Sequence, residues 1–66
     1  MNRRELIRHL RNNGCDLVRE GANHTIWLNP KNGLSSAVPR HQVVKRNTIR
    51  KICKELGIEA PTELSG

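Results

Sequence analysis

The chain has 66 residues, 35% of them hydrophobic, and its 12 Lys and Arg residues outnumber 6 Asp and Glu residues to give a net charge of +6. This length holds one small domain with a thin core, and it leaves no room for a deep pocket, a cofactor-binding fold or a second domain. Any function must therefore lie on or near the surface, and a partner or an oligomer interface is expected to add stability.

The positive charge is concentrated in the second half of the chain. No Asp or Glu occurs between Gly21 and Lys54. The cations of this stretch are Lys31, Arg40, Lys45, Arg46, Arg50, Lys51 and Lys54. A field of one sign attracts polyanions, so nucleic acid is the leading partner class, ahead of an acidic protein or an anionic membrane. The alternative is a solvated basic surface without a role.

The chain shows no sign of export or membrane insertion. No apolar run is long enough to cross a bilayer, and charges interrupt the first eight residues where a signal peptide would be apolar. A cytoplasmic protein is predicted, in which Cys15 and Cys53 are reduced and structural. The two cysteines are far apart and form no CxxC pair, so a zinc site is not expected.

The first predicted element is a helix. Asn2 is its expected N-cap, with Glu5 in the capping-box position, and Gly14 suits the left-handed residue that ends it. Three short strands are then predicted over residues 15–19, 25–28 and 35–38. These runs include β-branched and aromatic residues and are separated by turn dipeptides. Short links between them make an antiparallel meander.

A basic loop over residues 40–46 is predicted to lead to a second helix with Asn47 as N-cap. Its apolar positions recur at helical spacing, and Gly57 is the expected stop, with Ile58 folding back in a Schellman-type contact. Residues 1–58 thus form one α+β domain, a small two-layer sandwich of order α-β-β-β-α, with both helices on one face of the sheet. Residues 59–66 are predicted to be a short frayed tail.

Few kinds of catalysis fit these residues. The acids are scattered singly and the glycines stand alone, so neither a hard-metal site nor a Gly-rich phosphate loop is predicted, and no cofactor is expected. RNA cleavage requires less, because the substrate's own 2′-hydroxyl is the nucleophile. A histidine can transfer the proton and nearby cations can stabilise the phosphate charge.

Two histidines are candidates for that proton transfer. Alternation along the second strand puts His24 on the same side as Ile26 and Leu28, so His24 is structural if that side faces the core and available for chemistry if it does not. His41, beside Arg40, is a second candidate or an ordinary polar loop residue.

Several cations are candidates for binding RNA phosphates. Lys45, Arg46, Arg50 and Lys51 surround the start of the second helix, where a phosphate is favoured. Lys31 and Arg40 lie in the same acid-free stretch. Trp27, the only aromatic residue, either stacks on a base or anchors the core.

The segments NRRELIRHLRNNGCDLVREGANHTIW, AVPRH and KRNTIRKICKELGI, taken in order, resemble the HicA toxins of type II toxin–antitoxin systems. The resemblance runs from Asn2 to about Ile58. It implies a fold similar to double-stranded-RNA-binding domains and a ribosome-independent mRNA interferase that is silenced by a HicB-like antitoxin covering its active site. The family's Gly-Ser-His motif, which carries the catalytic histidine, corresponds here to residues 21–24, so the resemblance gives that role to His24.

The chain departs from the family pattern on both sides of this histidine. Asn23 stands where the family often has Ser, and Thr25 where it often has a second His. Asn23 can still donate a hydrogen bond to a phosphate, whereas any help from a second histidine is missing. Two other functions remain open from the sequence: an RNA-binding module without catalysis, and a domain whose basic surface docks an acidic protein.

Overall fold

A computed structural model describes residues 1–62 of the chain. It contains α1 (Arg3–Asn12), β1 (Asp16–Glu20), β2 (His24–Asn29), β3 (Leu34–Pro39) and α2 (Arg46–Leu56). The predicted α+β domain of order α-β-β-β-α is confirmed. Each predicted strand is found within one residue of its expected bounds.

Both ends of α1 form as the sequence predicts. The side-chain Oδ1 of Asn2 accepts the backbone N–H of Glu5 at 2.9 Å, and the Glu5 carboxylate accepts the Asn2 side-chain amide at 3.2 Å. Gly14 follows the helix with a φ of 82°, in the left-handed region. The backbone N–H of Cys15 then bonds back to the carbonyl of Leu10 at 2.9 Å. Cys15 therefore belongs to the helix end, and β1 begins one residue later than predicted.

The strands form an antiparallel meander in the order β1-β2-β3. Pairing of β2 with β3 is regular and sets His24 opposite Pro39 and Asn29 opposite Leu34. Pairing of β1 with β2 shifts register between Leu17 and Arg19, which marks a β-bulge at Val18. All five residues of β1 are exposed.

The two helices pack on one face of this sheet. They bury a cluster consisting of Leu6, Leu10, Cys15, Trp27, Val38, Val44, Ile49, Ile52, Cys53 and Leu56. Trp27 is the largest of these side chains and is 1% exposed. This burial confirms that Trp27 anchors the core, and it leaves no exposed ring face on which a base could stack. The guanidinium of Arg11 lies over its ring, 5.1 Å from the centroid.

The predicted N-cap of the second helix is wrong. Lys45, with φ −65° and ψ 149°, is the N-cap residue and makes no side-chain capping bond, whereas Asn47 lies inside the helix. The preceding segment is fixed by the N-terminus of the chain: Val43 bridges to Asn2, and the N–H of Val44 donates to the Met1 carbonyl at 3.0 Å. This pairing, together with the burial of Val44, determines where the helix can begin.

The C-terminal end of α2 confirms the predicted stop. Gly57 has a φ of 68°, and its N–H bonds to the carbonyl of Lys54 while that of Ile58 bonds to Cys53 at 2.9 Å. These two bonds are those of a Schellman motif. Beyond it, the Glu59 carbonyl accepts a hydrogen bond from His9 Nε2 at 2.7 Å, and Pro61 is buried. The rest of the predicted tail, residues 63–66, lies outside the described residues.

Candidate active site

The face of β2 that carries His24 is turned away from the helices. Along this strand Thr25, Trp27 and Asn29 are buried, while His24 is exposed and Ile26 and Leu28 are half-buried. His24 does share a side with Ile26 and Leu28, as alternation predicts, but the alternative in which that side faces the core is wrong. Within residues 1–62 the imidazole has no hydrogen-bond partner, so both ring nitrogens are open to a ligand.

The residue next to His24 belongs to a buried polar network. The hydroxyl of Thr25 accepts hydrogen bonds from the Arg3 guanidinium at 3.2 Å and the Trp27 indole at 3.1 Å, and it lies 3.4 Å from the Val38 carbonyl, to which it donates. Arg3 also donates to the Pro39 carbonyl at 3.0 Å. This network ties the start of α1 to β2 and β3, and it fixes the backbone from which His24 projects.

A groove of about 580 Å³ brings His24 together with two other candidate residues, His41 and Lys51. The groove runs from the open sheet face, around the edge strand β3, to α2. Its other lining residues are Ile26, Ser35, Ser36, Ala37, Pro39, Thr48, Ile52 and Glu55. Two groups that can transfer protons and one ammonium therefore line the same open concave surface.

An acid that was not among the predicted site residues, Glu55, also lines this groove. Glu55 accepts a 2.7 Å hydrogen bond from the hydroxyl of Ser36. It is one helical turn beyond Lys51, so the groove is basic nearer His41 and acidic at its other end. A phosphate is favoured at the end that holds His41 and Lys51.

The other predicted phosphate ligands are spread more widely. Lys45 lines a smaller depression beside His41. Arg46 and Arg50 are exposed on α2. Each is two positions from Thr48, so each lies roughly 160° around the helix axis from it, on the side away from the groove. Lys31 lies past the far end of β2, roughly 16 Å or more from His24 at about 3.3 Å per residue.

Asn23 and Arg40 meet at the turn that leads into β2. Asn23 is exposed, and its carbonyl accepts the backbone N–H of Arg40 at 3.3 Å. The side chain of Arg40 is partly used within the protein: Nε donates to the Gly21 carbonyl at 3.0 Å, and Nη2 lies 3.9 Å from the Glu20 carboxylate. Arg40 is thus beside His24, with part of its hydrogen-bonding capacity already satisfied.

The two thiols are poor nucleophiles. Burial, with a smaller contribution from the nearby Cys15, raises the pKa of Cys53 to about 11. Burial also raises the pKa of the Cys15 thiol, with a smaller contribution from the charge of Asp16. Both cysteines are free and buried, so they are protonated at neutral pH and act as small core side chains.

Residues 1–62 lack two kinds of feature, a cluster of metal ligands and a membrane-spanning helix. No group of three or more His, Cys, Asp or Glu side chains is arranged to hold a metal ion there. Neither helix in that part of the chain is long and apolar enough to cross a membrane.

Comparison with known proteins identifies a family. The family model described as "HicA toxin of bacterial toxin-antitoxin" matches residues 3–58, which is nearly the whole chain. Searches of curated proteins and of solved structures give no significant match. The matched range covers all five elements and includes His24, His41 and Lys51. The chain belongs to the HicA family of toxins from bacterial toxin–antitoxin systems.

Proposed function

We propose that this toxin is a metal-independent endoribonuclease that cleaves mRNA, with His24 as general acid or base. The observation that carries the proposal is the exposed, unpartnered imidazole of His24 at a groove that also presents His41 and Lys51. Membership of a toxin family supports a destructive activity. The acid-free, basic stretch supports a polyanionic substrate.

The proposed reaction uses groups of the substrate and of this chain. A neutral imidazole takes the proton of the 2′-hydroxyl as that oxygen attacks the adjacent phosphorus. The bond from phosphorus to the 5′-oxygen breaks, and a second group or water returns a proton to the leaving oxygen. The products are a 2′,3′-cyclic phosphate and a 5′-hydroxyl end. DNA, which lacks the 2′-hydroxyl, is not cleaved by this route.

His41 is the best candidate for the second proton transfer, because it lines the same groove as His24. Lys51 would stabilise the extra negative charge on the phosphate, and Lys45 would hold a neighbouring phosphate beside His41. Asn23 would donate a hydrogen bond near the attacked phosphate. Arg46, Arg50 and Lys31 would contact more distant parts of the RNA backbone, consistent with their positions outside the groove.

The partner that silences the toxin is proposed to be a HicB-like antitoxin that covers His24. Toxin–antitoxin membership implies such a protein partner. The half-buried apolar residues Ile26 and Leu28 extend from His24 along the face of the sheet that the helices leave open, and they offer contact area. In an RNA cleavage assay, an equimolar amount of this antitoxin should stop the reaction.

The test is to incubate the protein and its His24→Ala variant with a long single-stranded RNA in excess EDTA. We expect the wild type to cleave and the variant to be slower by about 10²-fold or more, with an unchanged melting temperature. A matched DNA should stay intact. A folded His24→Ala variant that cleaves at the wild-type rate would refute the role of His24. Salt-sensitive RNA binding without cleavage by the wild type would instead identify an RNA-binding module.

A further inference from the structure

The turn that leads into His24 is held from outside by a single arginine. Within the turn, the N–H of Gly21 donates to the His24 carbonyl at 2.8 Å. From the end of β3, Arg40 donates through Nε to the Gly21 carbonyl at 3.0 Å and through its backbone N–H to the Asn23 carbonyl at 3.3 Å. Arg40 therefore spans the turn from its first residue to its last.

The position of Arg40 in the sheet explains how it reaches this turn. His24 is paired with Pro39 across β2 and β3, so the next residue along the chain, Arg40, stands directly beside the turn. The turn itself is tight: a Cβ atom on Gly21 would lie 3.0 Å from the His24 carbonyl oxygen. Small changes in this turn are thus transmitted to the backbone of His24.

We infer that Arg40 is a positioning residue that fixes the turn at residues 21–23 and so aims the His24 imidazole at the groove. The inference rests on the proposed function, because the orientation of His24 affects RNA cleavage only if His24 is catalytic. It differs from the expectation that Arg40 holds phosphate, because its Nε is bonded to a carbonyl and its Nη2 faces the Glu20 carboxylate. A displacement of about 1 Å in a reacting group can cost about 10²-fold in rate.

The chemistry of the guanidinium makes the inference testable by a conservative change. Lysine keeps the positive charge of Arg40 but has no Nε–H fixed in a planar fork. A phosphate contact would survive Arg40→Lys in large part, whereas the Gly21 carbonyl would lose the donor at the Nε position and the planar geometry that holds it. Arg40→Gln removes the charge as well. The two variants therefore separate attraction of RNA from positioning of the turn.

The experiment compares kcat and KM for Arg40→Lys, Arg40→Gln and the control Arg8→Gln, an exposed arginine on α1 outside the groove. Both Arg40 variants should lower kcat about tenfold or more, with KM changed less than about twofold. The control should match the wild type. Wild-type kcat in Arg40→Lys, or a rise in KM confined to Arg40→Gln, would overturn the inference in favour of phosphate binding.

Amide hydrogen exchange of Gly21, measured without RNA, gives a second readout. This N–H should exchange about tenfold faster or more in both Arg40 variants, because the turn opens more often without the Arg40 contacts. Its exchange rate should be unchanged in Arg8→Gln. Unchanged exchange in Arg40→Lys would overturn the inference. If the wild type does not cleave RNA, the proposed function fails, and the exchange rates still decide whether Arg40 holds the turn.

Discussion

The two ends of β2 are built in opposite ways. At the Asn29 end, the buried side chain of Asn29 donates to the carbonyl of Leu56 at 2.9 Å and accepts the N–H of Lys31 at 3.1 Å. Asn32 donates to the same Leu56 carbonyl at 3.0 Å. At the other end, His24 is exposed and its turn is held by Arg40, whose side chain is 42% exposed.

This difference separates stability from chemistry along one six-residue strand. The Asn29 end joins the β2–β3 loop to the last turn of α2 through the buried amide of Asn29 and the amide of Asn32, so opening it would leave polar groups unpaired. At the other end the buried Thr25 network holds the strand, while His24 and the turn before it are exposed or half-buried, so the imidazole can meet a substrate. Changes at the two ends should therefore affect different measurements.

The largest effect on stability is expected from Asn29→Ala. It removes a buried amide that makes two hydrogen bonds and leaves the Lys31 N–H without its acceptor. The free energy of unfolding should fall by about 3 kcal/mol in urea titrations. The matched change at the other end, Asn23→Ala, should alter it by less than about 0.5 kcal/mol, because Asn23 is exposed. Equal losses in the two variants would contradict the comparison.

A pH-dependent effect is expected from Cys53, a buried residue of α2. Its pKa is raised in the folded protein from 9.0 to about 11, so between these values the folded state holds a proton that the unfolded state has released. The contribution of Cys53 to the free energy of unfolding is thus fully present below pH 9. About 2 kcal/mol of it is lost as the pH rises towards 11.

Cys53→Ala isolates this contribution, because every other ionisable residue is the same in both proteins. The variant should be less stable than the wild type below pH 9, and the gap should narrow as the pH rises to 11. Unfolding in urea at several pH values measures it. Parallel curves for the two proteins would show that the thiol does not contribute.

The smallest effect is expected from Glu20→Gln at the His24 end. The Glu20 carboxylate lies 3.9 Å from Arg40, and the two side chains are 66% and 42% exposed. Such a surface pair contributes about 0.5 kcal/mol or less, so unfolding and kcat should both stay close to wild type. A loss of kcat as large as that of Arg40→Lys would mean that the ion pair, rather than the bond to Gly21, orients the turn.

The sequence was informative where structure is decided locally. Asn2 three residues before Glu5 predicted the cap that forms, and Gly14 and Gly57 adopt the left-handed conformations expected of helix stops. Short apolar runs between turn dipeptides predicted three strands in the right order. Each of these features depends on residues within about one helical turn or one hairpin.

Features that depend on distant residues were not predicted. The buried side of β2 carries polar Thr25 and Asn29, whose partners include Arg3 and Leu56 from the two helices. Alternation identifies two sides but cannot show that hydrogen bonds from far along the chain make the polar side the inner one. The partner of the Arg40 side chain, Gly21, is 19 residues away and has no local signal either.

The irregular edge of the sheet has a consequence for how two copies of this chain can meet. β1 is an edge strand with every residue exposed, and such strands can pair with other chains into aggregates. The bulge at Val18 twists this edge, and the charges of Asp16, Arg19 and Glu20 lie along it. The β1 edge of one copy is therefore a poor template for pairing with the β1 edge of another.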